Sequence, residues 1–179
     1  MEMTKKHLGA EHPDMLRSMT NLACTYMKQG RWSDAEQLQV RGMEMRKKQL
    51  GVDHPDTLDD MSNLAITYTN QGRWNEAEEL EVQVMEMRKK LLGEEHPNTL
   101  TSMANLAITY GKQGRWNEAE ELEVQVMEMR KKLLGADHPD TLTSIGNLAI
   151  TYNGQGRWNE AEELEVQVME MRKKLLDAE

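Results

Sequence analysis

The feature that most constrains the fold of this 179-residue chain is a repeat with a period of 42 residues. Four tryptophans mark that interval, at Trp32, Trp74, Trp116 and Trp158. Three of the copies agree at 33 of 42 positions, and their last 22 residues, QGRWNEAEELEVQVMEMRKKLL, are identical. Repeats of this length are single structural units that bury their apolar faces by stacking on their neighbours. The period therefore predicts a stacked repeat array.

The recurring glycines at the start of each copy divide the chain into repeats. The expected segments are the end of a preceding repeat at 1–8, repeats over 9–50, 51–92, 93–134 and 135–176, and a tail at 177–179. Residues 1–8 read MEMTKKHL, against MEMRKKLL at the end of a full copy. We therefore expect a segment of a longer array, produced either by duplication or by deliberate consensus.

Each repeat is predicted to form two helices. Apolar residues recur at spacings of three and four in the first half, as at Leu58, Met61, Leu64 and Tyr68. A second stripe follows in the other half, at Ala77, Leu80, Val84, Met87 and Leu91. Gly72 is placed to end the first helix, because glycine accepts the left-handed conformation. The fold class is expected to be an all-α solenoid of four helix-turn-helix repeats.

The pattern of each repeat predicts structural roles for several residues. Asn75 with Glu78, and Ser33 with Glu36, resemble capping boxes at the start of the second helix. The tryptophans are interpreted as buried plugs, with stacking platforms for a ligand as the alternative. Methionine pairs in the second helix are interpreted as packing residues, with an adaptable binding surface as the alternative.

The repeat resembles a known family in the run Asn63-Leu64-Ala65, Tyr68, Gly72, Trp74 and Ala77. This pattern is similar to the tetratricopeptide repeat, in the 42-residue form of kinesin light chains. The second half of the repeat also resembles tandem repeats of fungal proteins that carry an NB-ARC-type nucleotide-binding domain. The resemblance implies a right-handed superhelix whose first helices line the concave face.

One position departs from that family. The residue four after the repeat alanine is usually a large aromatic in tetratricopeptide repeats. Here the position is held by polar residues, Gln39, Glu81, Glu123 and Glu165. The usual aromatic packing inside the repeat is therefore not expected here. Apolar residues of a longer second helix are expected to compensate for it.

Catalysis, metal binding and cofactor binding find no support in the sequence. The chain has no Gly-rich phosphate loop, no His-Glu-x-x-His and no Cys-x-x-Cys motif, so we predict a non-enzyme without a cofactor. The repeat histidines lie 42 residues apart, which favours loop residues near a helix start over metal ligands. The net charge of −9 argues against nucleic acid as a partner.

Membrane insertion and disulfide bonding are not predicted either. No apolar run approaches the roughly 20 residues that span a bilayer. Cys24 is the single cysteine, and it stands where the other copies have isoleucine, so we read it as a small apolar residue. These features favour a reducing compartment, the cytoplasm.

Differences among the copies point to a binding groove. They fall on the first helix and the loop before it, on the side away from the apolar stripe. The predicted partner-binding positions are Arg17, Asp59, Thr101 and Thr143; Thr20, Ser62, Ala104 and Gly146; and Lys28, Asn70 and Lys112. Beside them runs a constant ladder of Asn21, Asn63, Asn105 and Asn147. Its amides offer donors and acceptors to an extended peptide, or alternatively bond neighbouring backbone within the array.

The charge distribution adds a second hypothesis. Residues 1–50 carry a net charge of +3, which leaves −12 for residues 51–179, and no polar capping helix follows the last repeat. This favours head-to-tail association of the basic end with the acidic end. The predicted function is a protein-interaction scaffold that binds a protein or peptide in the concave groove. The alternatives are a structural spacer or self-assembling array, and, from the fungal resemblance, a ligand sensor attached to a nucleotide-driven switch.

Overall fold

A computed structural model describes residues 13–177 of the chain. The described part forms eight α-helices, which confirms the prediction of an all-α fold with two helices per repeat. They are α1 (Pro13–Lys28), α2 (Trp32–Leu50), α3 (Pro55–Asn70), α4 (Trp74–Leu92), α5 (Pro97–Lys112), α6 (Trp116–Leu134), α7 (Pro139–Gly154) and α8 (Trp158–Leu176). The predicted segment 1–8 lies outside the described residues. None of the described helices is both long and apolar enough to cross a bilayer.

The described chain divides into two compact units, residues 13–73 and residues 74–177. In the first unit α2 packs against both α1 and α3. In the second unit each helix from α4 to α8 packs against the next one along the chain, and α5 also contacts α7. Contact between the first helices of consecutive repeats places them side by side in the second unit.

The apolar stripes supply the cores. In α3, Leu58, Leu64 and Ala65 are at most 2% exposed, as the spacing predicted. In the second unit, Leu100, Met103 and Val126 form a buried cluster across α5 and α6. Each first helix therefore faces a second helix with its apolar side, and its other side is left to carry polar and variable residues.

Glycine ends the first helix, as predicted. Gly72, Gly114 and Gly156 have φ of +77°, the left-handed region that glycine enters without a Cβ clash. The chain then turns and the second helix begins two residues later, at Trp74, Trp116 and Trp158. This tight turn fixes the spacing between the two helices of a repeat.

Candidate protein-binding face

Histidine and proline fix where each first helix begins. His96 is the residue before α5, and its Nδ1 accepts a hydrogen bond from the backbone N–H of Asn98 at 3.1 Å. His54 and His138 cap α3 and α7 in the same way. These three histidines are thus residues at a helix start, as predicted, and His7 and His12 lie outside the described residues. The described residues contain no group of three His, Cys, Asp or Glu side chains that could hold a metal ion.

The predicted groove positions lie mainly on the surface of the first helices. Exposed positions in the first unit are Arg17, Asn21, Lys28, Asp59 and Asn70, with Thr20, Ser62 and Asn63 half-buried. Exposed positions in the second unit are Thr101, Lys112 and Thr143, with Asn105, Gly146 and Asn147 half-buried. Within each unit, these residues occupy the side of the helix opposite the apolar stripe.

Some of these side chains are already engaged by their own helix. The hydroxyls of Thr101 and Thr143 donate to the carbonyls of Pro97 and Pro139 at 2.9 Å. The prediction of a groove position is wrong for Ala104, because this residue is buried in the core cluster with Val126. A methyl group is small enough to turn inward at a position where a longer polar side chain would stay at the surface.

Two predicted amides remain unused. Among the described residues, the side chains of Asn105 and Asn147 have no hydrogen-bond partner. Beside them, Ile108 and Ile150 are 42% and 63% exposed, unusually high for isoleucine. The face of α5 and α7 therefore presents open amide groups next to exposed apolar surface.

A cavity of about 230 Å³ brings several of these residues together. Ile108 and Lys112 of α5 line one side, and Asn147 and Ile150 of α7 line the other. The floor comes from α6, through Glu123. The groove positions predicted from the sequence do not include Glu123, although it is one of the polar residues at a position that is usually aromatic in the family.

Glu81 and Glu123 are buried acids at the contact with the next first helix. They are 3% and 4% exposed, and burial raises the pKa of each carboxyl to about 7. Thr109 hydrogen-bonds the carboxyl of Glu81, and Thr151 that of Glu123. In each acid the Oε2 atom is buried without a hydrogen-bond partner among the described residues.

In the first repeat a neutral side chain, Gln39, occupies the position of these acids and makes hydrogen bonds with both of its polar atoms. Gln39 is 7% exposed, and its Oε1 accepts a hydrogen bond from Thr67 at 2.7 Å. Its Nε2 donates to the backbone carbonyl of Asn63 at 3.2 Å. A protonated glutamate has the same shape, with one donor and one acceptor. Gln39 was the signal in the sequence that the glutamates of the later copies occupy a neutral environment.

A repeated ion pair joins consecutive repeats at the helix-helix turn. Glu78 accepts hydrogen bonds from Gln113 and Arg115 of the next repeat, each at 2.8 Å. The Arg115 guanidinium also stacks on the Tyr110 ring, 4.1 Å from its centroid. The same arrangement joins Glu120 to the turn before α8.

This arrangement shows that the predicted capping boxes are wrong. The second helix begins at the tryptophan, so Asn75 lies in the first turn and is not the cap. The capping position before α6 is Arg115, whose side chain makes no capping hydrogen bond to the backbone. It binds the side chain of Glu118 instead, at 2.8 Å from Nε. The carboxylate of Glu78 binds Gln113 and Arg115 of the next repeat and does not cap the start of its own helix.

The tryptophans differ from the prediction that all of them are buried plugs. Trp116 is half-buried against two glycines, since a Cβ on Gly154 would lie 2.7 Å from its ring and one on Gly111 would lie 3.1 Å away. Trp158 is 65% exposed and Trp74 is 38% exposed, so the prediction is wrong for these two. The burial of each ring depends on the residues that the neighbouring first helix presents to it.

Comparison with known proteins decides the family. The model of the tetratricopeptide repeat matches residues 25–90, 61–132 and 124–174. The chain belongs to the tetratricopeptide repeat family. No match was found among curated protein sequences.

Solved structures with a similar fold differ widely in their sequence identity to this chain. The nearly identical TPR-like repeats of a kinesin light chain assigned in Podosopora anserina are 36% identical, with a TM-score of 0.79 over 95% of this chain and 81% of that one. A point variant of that protein is 37% identical, with a TM-score of 0.83 over 96% and 81%. BtubC (BKLC) from P. vanneervenii shares the fold at 18% identity, with a TM-score of 0.81 over 95% and 68%.

Proposed function

We propose that this tetratricopeptide array is a non-catalytic scaffold that binds an extended peptide or partner segment along its first helices. Tetratricopeptide proteins typically act in protein–protein interaction. The observation that carries the finer proposal is the pair of unused amides at Asn105 and Asn147 beside exposed Ile108 and Ile150. Amides that bond peptide backbone, next to apolar surface that accepts side chains, are the elements of an extended-peptide site.

A peptide-array screen tests this proposal. The wild-type chain is compared with a variant that combines Asn105→Ala and Asn147→Ala. The control is Asn159→Ala, an exposed asparagine at the start of α8. Circular dichroism establishes that helicity is equal in all three proteins. Selective peptide binding that is lost only in the double variant supports the proposal, and selective binding that survives in it refutes the role of these amides.

A second candidate is a structural spacer or self-assembling array. The supporting observation is the exposure of α8, where Trp158, Met169 and Leu176 are 65%, 63% and 73% exposed. The counterparts Trp116 and Met127 on the identical helix α6 are half-buried. Apolar surface of this kind favours end-to-end contact between copies. Light scattering at rising concentration and at two salt concentrations tests it, and a monomer under all conditions refutes it.

The setting of this scaffold is inferred from the same features. Cys24, the only cysteine in the sequence, is exposed and free, which suits the reducing cytoplasm. The net charge of −9 favours protein over nucleic acid as the partner. From these properties we expect the partner to be a protein or peptide, and not a membrane or a nucleic acid.

A further inference from the structure

One variable position sits directly over the polar residue of the second helix. In repeat 1 that position is Met27, whose Sδ lies 3.4 Å from Nε2 of Gln39. In repeat 4 it is Asn153, whose Nδ2 donates to Oε1 of Glu165 at 3.2 Å. In repeat 3 the position is Gly111, which has no side chain to reach its polar partner. Repeat 3 therefore lacks the group that covers this place in repeats 1 and 4.

The missing side chain coincides with the 230 Å³ cavity. Gly111 lines it together with Ile108, Trp116 and Ile150, so most of the wall is apolar. Glu123 lines the cavity as well, and its Oε2 atom has no hydrogen-bond partner among the described residues. The torsion that turns a glutamate carboxyl is broad, so either oxygen can be presented to a group inside the cavity.

Among the described residues, no cation forms an ion pair with this carboxyl. On α6, Glu120 disfavours ionisation of Glu123, and Glu120 itself is paired with Arg157. On α5 the exposed cation Lys112 also lines the cavity, but it makes no ion pair with Glu123. The lining residues of α7 are Asn147, Ile150 and Thr151, none of which ionises near neutral pH. A mostly apolar cavity that is lined by an acid without an ion-pair partner suits an aliphatic chain that carries a positive charge at its tip.

We propose that this cavity binds a primary alkylammonium group, presented by a lysine side chain of the partner peptide. Its methylene groups would lie against Ile108 and Ile150, and its ammonium would donate to the carboxyl of Glu123. The Trp116 ring, which lines the same cavity, adds an aromatic surface of the kind that attracts cations. The proposal rests on the peptide-binding function given above and specifies the side chain that repeat 3 selects.

Butylammonium is the probe, because it has the four-carbon stem and the charge of lysine. Calorimetric titration at pH 6, in two buffers with different enthalpies of ionisation, measures both binding and proton release. Because an ammonium stabilises the carboxylate, Glu123 should give up its proton on binding, and close to one proton should be released per probe. This release should fall as the pH is raised to 8. 1-Butanol, which has the same stem without the charge, should bind at least about tenfold more weakly than butylammonium.

Two variants use residues that the chain already carries at these positions. Glu123→Gln keeps the cavity and removes the charge, as Gln39 does in repeat 1. Gly111→Met keeps the acid and places the residue of repeat 1 over it; its Cβ would lie 3.1 Å from the Trp116 ring, so the side chain displaces that ring and occupies the cavity. Each variant should weaken butylammonium binding by about tenfold or more, with circular dichroism unchanged. Equal affinity for butanol, unchanged binding by Glu123→Gln, or no saturable binding of butylammonium would overturn the proposal.

A peptide experiment separates this proposal from the function on which it rests. A lysine peptide that binds in the array screen is compared with the same peptide carrying norleucine. Equal binding of the two peptides leaves the peptide scaffold intact and refutes the lysine pocket. Saturable butylammonium binding with no peptide bound supports the pocket and counts against the scaffold.

Discussion

Replacing Glu81 and Glu123 with glutamine should remove a loss of stability that the wild-type chain suffers as the pH rises. Burial raises the pKa of both acids from 4.5 to about 7 in the folded chain, and unfolding restores the ordinary value. Between these two values the folded state binds more protons than the unfolded state, so the free energy of unfolding decreases with rising pH. The decrease begins near pH 4.5 and levels off above pH 7.

The size of the effect follows from the shift. A difference of about 2.5 pKa units, at 1.36 kcal/mol per unit, corresponds to about 3 kcal/mol for each acid. Both side chains are at most 4% exposed, so solvent screens the effect little. The free energy of unfolding of the glutamine variant should gain on that of the wild type by about 2.5 kcal/mol per substituted site between pH 5 and pH 8. Gln39, which bonds both a carbonyl and a hydroxyl, shows that the amide fits this place.

Urea denaturation followed by circular dichroism at pH 5, 6, 7 and 8 measures this difference. All other titratable groups are common to both proteins, so their contribution cancels in the comparison. Glu121→Gln, an exposed position on α6, is the control and should leave the pH dependence of the wild type unchanged. A gap between wild type and double variant that stays constant from pH 5 to pH 8 would refute the reasoning.

Two further tests address the packing between repeats. Gly146→Ala should stabilise the chain by about 1 kcal/mol, because nothing lies within 4 Å of the added Cβ and alanine favours the helix. Gly154→Ala should instead destabilise the chain by about 1 kcal/mol, since its Cβ would lie 2.7 Å from the Trp116 ring. Urea denaturation compares the two variants, and equal stabilisation by both would contradict the close contact between Gly154 and Trp116. Arg46→Met should cost about 3 kcal/mol by leaving the buried carboxylate of Asp60 without its ion pair, and a second change, Asp60→Ser, should restore most of the loss in the same assay.

The helices could be predicted because their determinants lie close together in the sequence. Leu58 and Leu64 share an apolar stripe, and the glycine after each first helix permits the turn. The same local reasoning failed for Glu78. Its partners, Gln113 and Arg115, lie 35 and 37 residues further along, so a local match to a capping box concealed a contact between repeats.

The candidate site could be predicted only in part for a similar reason. The Asn105 and Asn147 ladder stood out because it is constant beside variable neighbours. The cavity did not, because it depends on Gly111, Glu123 and α7 meeting in space. Sequence comparison among the copies could show that position 111 varies. It could not show that this position lies over the buried acid.

The combination of a constant acid and a variable cover explains how nearly identical repeats can acquire different binding preferences. The second helices of repeats 2 to 4 are identical in sequence, so the sequence differences that can alter recognition lie on the first helices and the loops before them. Asn153 occupies the cover position in repeat 4 and donates to Glu165, whereas Gly111 offers Glu123 no side chain in repeat 3. A single substitution at the cover position therefore changes whether the acid is available to a ligand, without altering the core that holds the repeats together. The buried acid lowers stability as the pH rises whether or not the cover position carries a side chain, because the pKa is raised to about 7 both in Glu81, below Thr69, and in Glu123, below Gly111.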